Sequence, residues 1–143
     1  MTVIPASEIC TYLAAQVAGL TVSTNLFYSR LPDQPDNCVA VFSTGGAAPL
    51  VTQIGQSQAD IKAGRPSFQV RVRDKVYATG YAVAVNCFKA LQIVNEQVIA
   101  GGGSSTWHSI VALQSQPVDL GRDVKQRHEW SMNFIAVWED ANR

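Results

Sequence analysis

The chain has 143 residues, 47% hydrophobic and 15% charged, and its eleven basic and eleven acidic side chains balance to a net charge of +0. That length and apolar content suffice for one domain, residues 1–143, that buries a core without metals or disulfides. The charge balance excludes a global basic footprint for nucleic acid or anionic membrane, and it leaves self-association unopposed.

In chain order, Ile9, Tyr12, Leu13, Val17 and Leu20 recur at spacings of three and four. This predicts an amphipathic helix from about Pro5 to Gly19, with Pro5 suited to a first turn and Gly19 to a C-terminal cap. Leu26 to Leu31 and Cys38 to Ser43 read as strands, and the Pro32-Asp33-Gln34-Pro35-Asp36-Asn37 run between them predicts a hairpin. Thr44 to Arg65 carries Gly45, Gly46, Pro49, Gly55 and Gly64 and reads as a long extended loop. A loop of about twenty residues inside a compact domain is uncommon, and such segments tend to be functional or to order against a partner.

Pro66 to Asp74 alternates Phe68, Val70 and Val72 with Gln69, Arg71 and Arg73, the pattern of a half-buried strand. Tyr77, Tyr81, Ala84, Phe88 and Leu91 predict a second helix over Lys75 to Val94, with Gly80 weakening it slightly. Gln97 to Ala100 is a short strand candidate, and Gly101 to Ser104 a turn into a strand over Thr106 to Ser115. In that strand His108, Ile110 and Ala112 alternate with Ser109, Val111 and Leu113. Gln116 to Lys125 reads as a connection. The final strand places Trp130, Met132, Phe134, Ala136 and Trp138 on one face and Glu129, Ser131, Asn133 and Glu139 on the other. The sum is an α+β domain, a mostly antiparallel β-sheet with two α-helices packed on one face and a long extended loop.

Catalytic and metal-binding constellations are not legible. The two histidines, His108 and His128, fall on predicted strands, and His128 and Glu129 point to opposite faces, so they cannot act as a base with its orienting carboxylate. Cys10, Cys38 and Cys87 lack the close pairing a zinc site needs and are expected as buried reduced thiols of a cytoplasmic, reducing compartment. The Gly101 to Thr106 run lacks the lysine and helix of a phosphate cradle. Neither cofactor nor metal is expected. With Arg30 as the first basic residue and only short apolar runs, a secretory signal or membrane span is not expected either.

Two charged groups carry the interaction signal. Arg71 and Arg73 share the polar face of their strand and, with Arg65 and Lys75, form a basic cluster. Its two readings are contact with phosphate or acidic groups of a neighbouring subunit, and a solvated sheet face. Asp119, Arg122, Asp123, Lys125 and Arg127 alternate in sign, which suits a subunit contact better than DNA.

These residues resemble a known family. Asn25-Leu26-Phe27 after the first helix, PDNCVAVFSTGG from Pro35 to Gly46, RPSFQVRVRD from Arg65 to Asp74, and PVDLGRDVKQRHEWSMNF from Pro117 to Phe134 look like the tail terminator, or tail completion, proteins of long-tailed bacteriophages. The resemblance implies a non-enzymatic virion protein that forms a hexameric ring and caps the last ring of tail tube subunits. It would then stop tube growth and dock the head-tail connector or stopper, with a sheath as a further partner and DNA met only by passage through the lumen. It also implies interface roles for Gly45 and Gly46, for Arg71 and Arg73, and for the Gly121-Arg122-Asp123 turn. The competing readings are another neck component, such as a stopper or head-completion protein, and a small ligand-binding α+β domain.

Overall fold

The computed structural model describes residues 5–47, 63–97 and 105–140. In order these form α1 (Pro5–Gln16), β1 (Leu26–Tyr28), β2 (Cys38–Ser43), β3 (Ala63–Gly64), β4 (Ser67–Asp74), α2 (Tyr77–Gln92), β5 (Asn95–Gln97), β6 (Ser105–Ala112), β7 (Val118–Arg122) and β8 (His128–Asp140). All eight strands belong to one sheet whose main path runs β1-β2-β4-β8-β6-β5. Every pair but β1 with β2 is antiparallel, so the architecture is the expected α+β.

Strand β8 organises the sheet because it is long enough to be flanked twice on each side. Along one edge it pairs with β4 through residues 128–135 and then with β3 at Trp138 and Glu139. Along the other it pairs with β7 through residues 128–131 and with β6 through residues 134–140. Its period-2 pattern holds: Trp130, Met132, Phe134, Ala136 and Trp138 are all buried. The register sets Phe68 beside Phe134, Val70 beside Met132 and Val72 beside Trp130, so both strands turn one apolar face inward.

Both helices cover that inner face. Ile9, Cys10 and Leu13 of α1 and Ala84, Cys87, Phe88 and Leu91 of α2 join the strand side chains in one core. Tyr12 Oη donates to Ala90 O at 2.9 Å, linking the helices. Trp138 Nε1 donates to the buried Glu8 carboxylate at 3.2 Å, tying α1 to the far end of β8. Gly80, which sequence propensity marks as a weak point, is required by packing. A Cβ there would lie 2.4 Å from the Trp130 ring, closer than any real carbon contact. The three cysteines are free and buried, and burial pushes the Cys10 and Cys87 thiols up to about 12.

Four expectations change. The Leu26–Leu31 and Cys38–Ser43 pair is parallel and not a hairpin: Leu26, Phe27 and Tyr28 align with Val39, Ala40 and Val41. Parallel neighbours usually need a long crossover. Here β1 has only three residues, so residues 29–37 suffice to carry the chain back. The segment expected as a plain connection, Gln116 to Lys125, contains β7. The alternation expected in β6 is interrupted by a bulge between Trp107 and Ser109, which turns Trp107 into the core. Strand β5 is Asn95–Gln97, earlier than expected. Residues 98–100, the Gly101 to Ser104 turn, and residues 48–62 of the expected arm lie outside the described residues.

Candidate functional site

The sheet face opposite the helices divides into two parts of different chemistry. At the β2-β4-β8 end the outward residues Arg71 and Arg73 of β4 stand beside Glu129 of β8. Alternation alone would leave Arg73 in solvent, yet it is 4% exposed. The loop between β1 and β2 folds over it and presents backbone carbonyls to its guanidinium. Arg73 Nη2 donates to Pro32 O at 2.6 Å, Asp33 O at 3.3 Å and Pro35 O at 2.7 Å, and its Nε donates to Asp36 O at 3.1 Å.

A second buried arginine closes the same loop from the other side. Arg127, at the end of the β7–β8 turn, donates through Nε to Asp123 Oδ2 at 2.7 Å and through Nη1 to Asp33 O at 2.6 Å. It also pairs with the Asp33 and Asp36 carboxylates at 3.2 and 3.3 Å. Lys125 pairs with Asp33, and Lys75 with Asp36 at 3.0 Å. Asp123 Oδ1 accepts from the backbone N–H groups of Lys125 and Arg127, both at 2.9 Å, which fixes the turn.

Electrostatics follow from this geometry. The Lys125 ammonium, then Arg127, hold the Asp33 carboxyl below its ordinary range, and Lys75, then Arg127, do the same for Asp36. The Arg127 backbone N–H leads the lowering of Asp123. Desolvation pulls Arg127 down, but the Asp123 and Asp33 carboxylates more than offset it and the guanidinium is raised.

The expected basic cluster is therefore not one solvent-facing patch. Arg71 faces Glu129 at 3.9 Å, Arg73 is enclosed by its own chain, and Lys75 pairs with Asp36. Arg65 forms an isolated antiparallel bridge with Ala47. There Gly45 and Gly46 have φ of +94° and +108°. A Cβ on Gly46 would lie 2.1 Å from Arg65 O, so both backbone angle and close approach demand glycine. Of the Gly121-Arg122-Asp123 group, Asp123 belongs to the Arg127 cluster, and Arg122 Nη1 donates to Gln126 Oε1 at 3.3 Å. Gly121 has φ +84° where the β7–β8 register shifts. Sequence reasoning missed Arg127 as a buried anchor. Its signal was Asp123 four residues earlier, which the turn folds back onto it.

The β6–β7 edge is the second part. Half of the large hydrophobics exposed among the described residues fall here: Val111, Leu113, Val118, Leu120 and Val124. Val111 pairs with Ile135, and Val118 with Ser131, so both valines face away from the helices. Among the described residues strand β7 pairs only with β8, leaving its other edge open, and all five of its residues are exposed. An open strand edge lined with apolar side chains is a surface suited to another polypeptide.

Among the described residues no group of three His, Cys, Asp or Glu side chains could hold a metal ion, and no helix is long and apolar enough to cross a membrane. No curated protein matches the chain in sequence. A family profile described as bacteriophage tail terminator protein matches residues 12–140. That span takes in most of the core, the double-arginine cluster and the open edge, and by it the chain belongs to the bacteriophage tail terminator family, structural proteins of the virion tail that interact with other tail or neck proteins.

Proposed function

We propose that subunits of this chain close into a hexameric ring that caps the tail tube, ends its polymerisation and offers a docking surface to the head-tail connector. The reading needs no chemistry on a substrate. Capping is a binding event, and its specificity comes from shape and surface pairing. The observation that carries it is the family match over residues 12–140, supported by the open, apolar β6–β7 edge. A head-to-tail interface whose rotation closes yields a finite ring with two different faces, one for the tube and one for the connector. Assembly takes place in the host cytoplasm, where the buried cysteines remain thiols. The Gly45-Gly46 departure point and Arg65, Arg71 and Arg122 are assigned to contacts with neighbouring subunits or neck proteins.

Electron microscopy of tails assembled with and without the protein tests this reading. Tubes of uniform length ending in a ring are expected with it, and tubes that overrun without it. Unchanged tube lengths in its absence would contradict the proposal.

A further inference from the structure

The two lateral ends of the sheet are built as opposites. Strand β1 lies at one end and β7 at the other, with β2, β4 and β8 between them. At the β1 end a groove of about 280 Å³ is lined by Val22, Ser23, Leu26, Phe27, Tyr28 and Arg30. The Arg30 guanidinium sits 4.9 Å from the centroid of the Phe27 ring, which holds it at the groove's rim. Arg30 makes no ion pair among the described residues. Val22 and Tyr28 leave 37% and 40% of their surface exposed, so two apolar side chains stand at a groove whose open surface is otherwise mostly polar, with Arg30 as its cation.

At the β7 end the relief is reversed. Val118 and Leu120 are 43% and 45% exposed and flank Asp119, whose Oδ1 accepts from Gly121 N at 2.7 Å. That carboxylate makes no ion pair among the described residues either. One end is thus a groove with an unpaired cation, and the other an open strand whose unpaired anion stands on the face opposite Val118. The remaining outward charges near the sheet's middle are already matched within the chain.

We propose that β7 of one subunit seats in the β1 groove of a second copy, with Asp119 against that copy's Arg30 and Val118 and Leu120 against its Val22 and Tyr28. The two surfaces differ and lie at opposite ends, so the contact is head-to-tail and each copy still offers one free end. The opposed charges fix the register, and the aliphatic pairs supply burial. This assignment rests on the ring reading and names the surfaces that would build it.

Charge reversal tests it. Asp119→Arg and Arg30→Asp are each compared with wild type and with the double variant by native mass spectrometry over a range of concentrations. Circular dichroism establishes that each variant is folded. Each single variant is expected to weaken self-association by about tenfold or more, since like charges are set face to face. The double variant restores assembly, and the single-variant defect shrinks as salt screens the repulsion. Folded single variants that assemble like wild type, or a double variant as defective as the worse single, overturn the pairing while leaving the ring intact. Variants that lose tube capture but keep self-association show that the tube protein occupies the groove, and this too overturns it. A wild type that stays monomeric at every concentration and with tube protein present overturns the ring reading and the pairing together.

Discussion

The double-arginine end of the outer face and the β6–β7 edge lie on the same sheet, yet they resolve their polar groups in opposite ways. Arg73 and Arg127 are both 4% exposed and satisfied by the carbonyls and carboxylates of their own chain. Strand β7 is exposed along its length and, among the described residues, uses one backbone edge only. A buried, internally matched charge cluster fixes the fold of a subunit and has little left to give a partner. An open apolar edge contributes little to the subunit and is available to one. Substitutions at the first should therefore act on stability, and substitutions at the second on association.

The largest effect is expected from Arg73→Ala, which leaves the Pro32, Asp33, Pro35 and Asp36 carbonyls without their donor. A loss of about 3 kcal/mol is expected, given the cost of buried acceptors left unpaired. Urea denaturation measures it, and a fall in Tm of roughly 10 °C accompanies it. Arg73→Lys should recover only part, because one ammonium cannot span four carbonyls in a planar fork. A neutral Arg73→Ala would erase the contrast between the two regions.

Next comes Gly46→Ala, with a cost of about 2 kcal/mol or more from the positive φ and the approach to Arg65 O. Thermal unfolding reads it. A methyl added at Gly121, also at positive φ, would meet nothing within 4 Å, and Gly121→Ala should cost less.

Acid should loosen the arginine end selectively. Asp33, Asp36 and Asp123 have folded-state values below their ordinary 3.8. Their contribution is therefore complete above pH 3.8 and is lost as pH falls through the lowered values. Tm should be insensitive to these groups between about pH 5 and 8 and should fall below about pH 4. Asp33→Asn should flatten that acid limb. A transition near neutral pH traced to these carboxylates would refute the assignment.

The smallest effect on stability is expected at the edge. Leu113→Asp and Val111→Asp should change the urea midpoint by no more than about 0.5 kcal/mol equivalent, as for exposed positions elsewhere. Their effect should appear in sedimentation velocity as lost assembly.

What was legible in the sequence divides along the same line. The β4 and β8 faces follow from period-2 alternation, because a buried apolar face leaves that trace whatever surrounds it. The helices follow from three-and-four spacing for the same reason. Alternation shows which way Arg73 points but not what lies over it. The cover is residues 32–37, whose prolines and acceptors resemble a hairpin turn. Strand β7 was hidden because both of its faces are wet, so Val118-Asp119-Leu120-Gly121-Arg122 carries no burial contrast to read. The family was legible through residue runs that span both regions, and the parallel β1–β2 pairing was not, since it depends on a loop held by two arginines distant in sequence.

Hydrogen–deuterium exchange of the backbone amides, on the isolated subunit and on the proposed assembly, separates the two regions. In the subunit, the β7 amides on the side away from β8 should exchange fast while β4 and the centre of β8 exchange slowly. On assembly, those open-edge amides should become protected and β4 should be unchanged. Protection of the open-edge amides already in the lone subunit, or their fast exchange after assembly, would contradict a role for β7 in association.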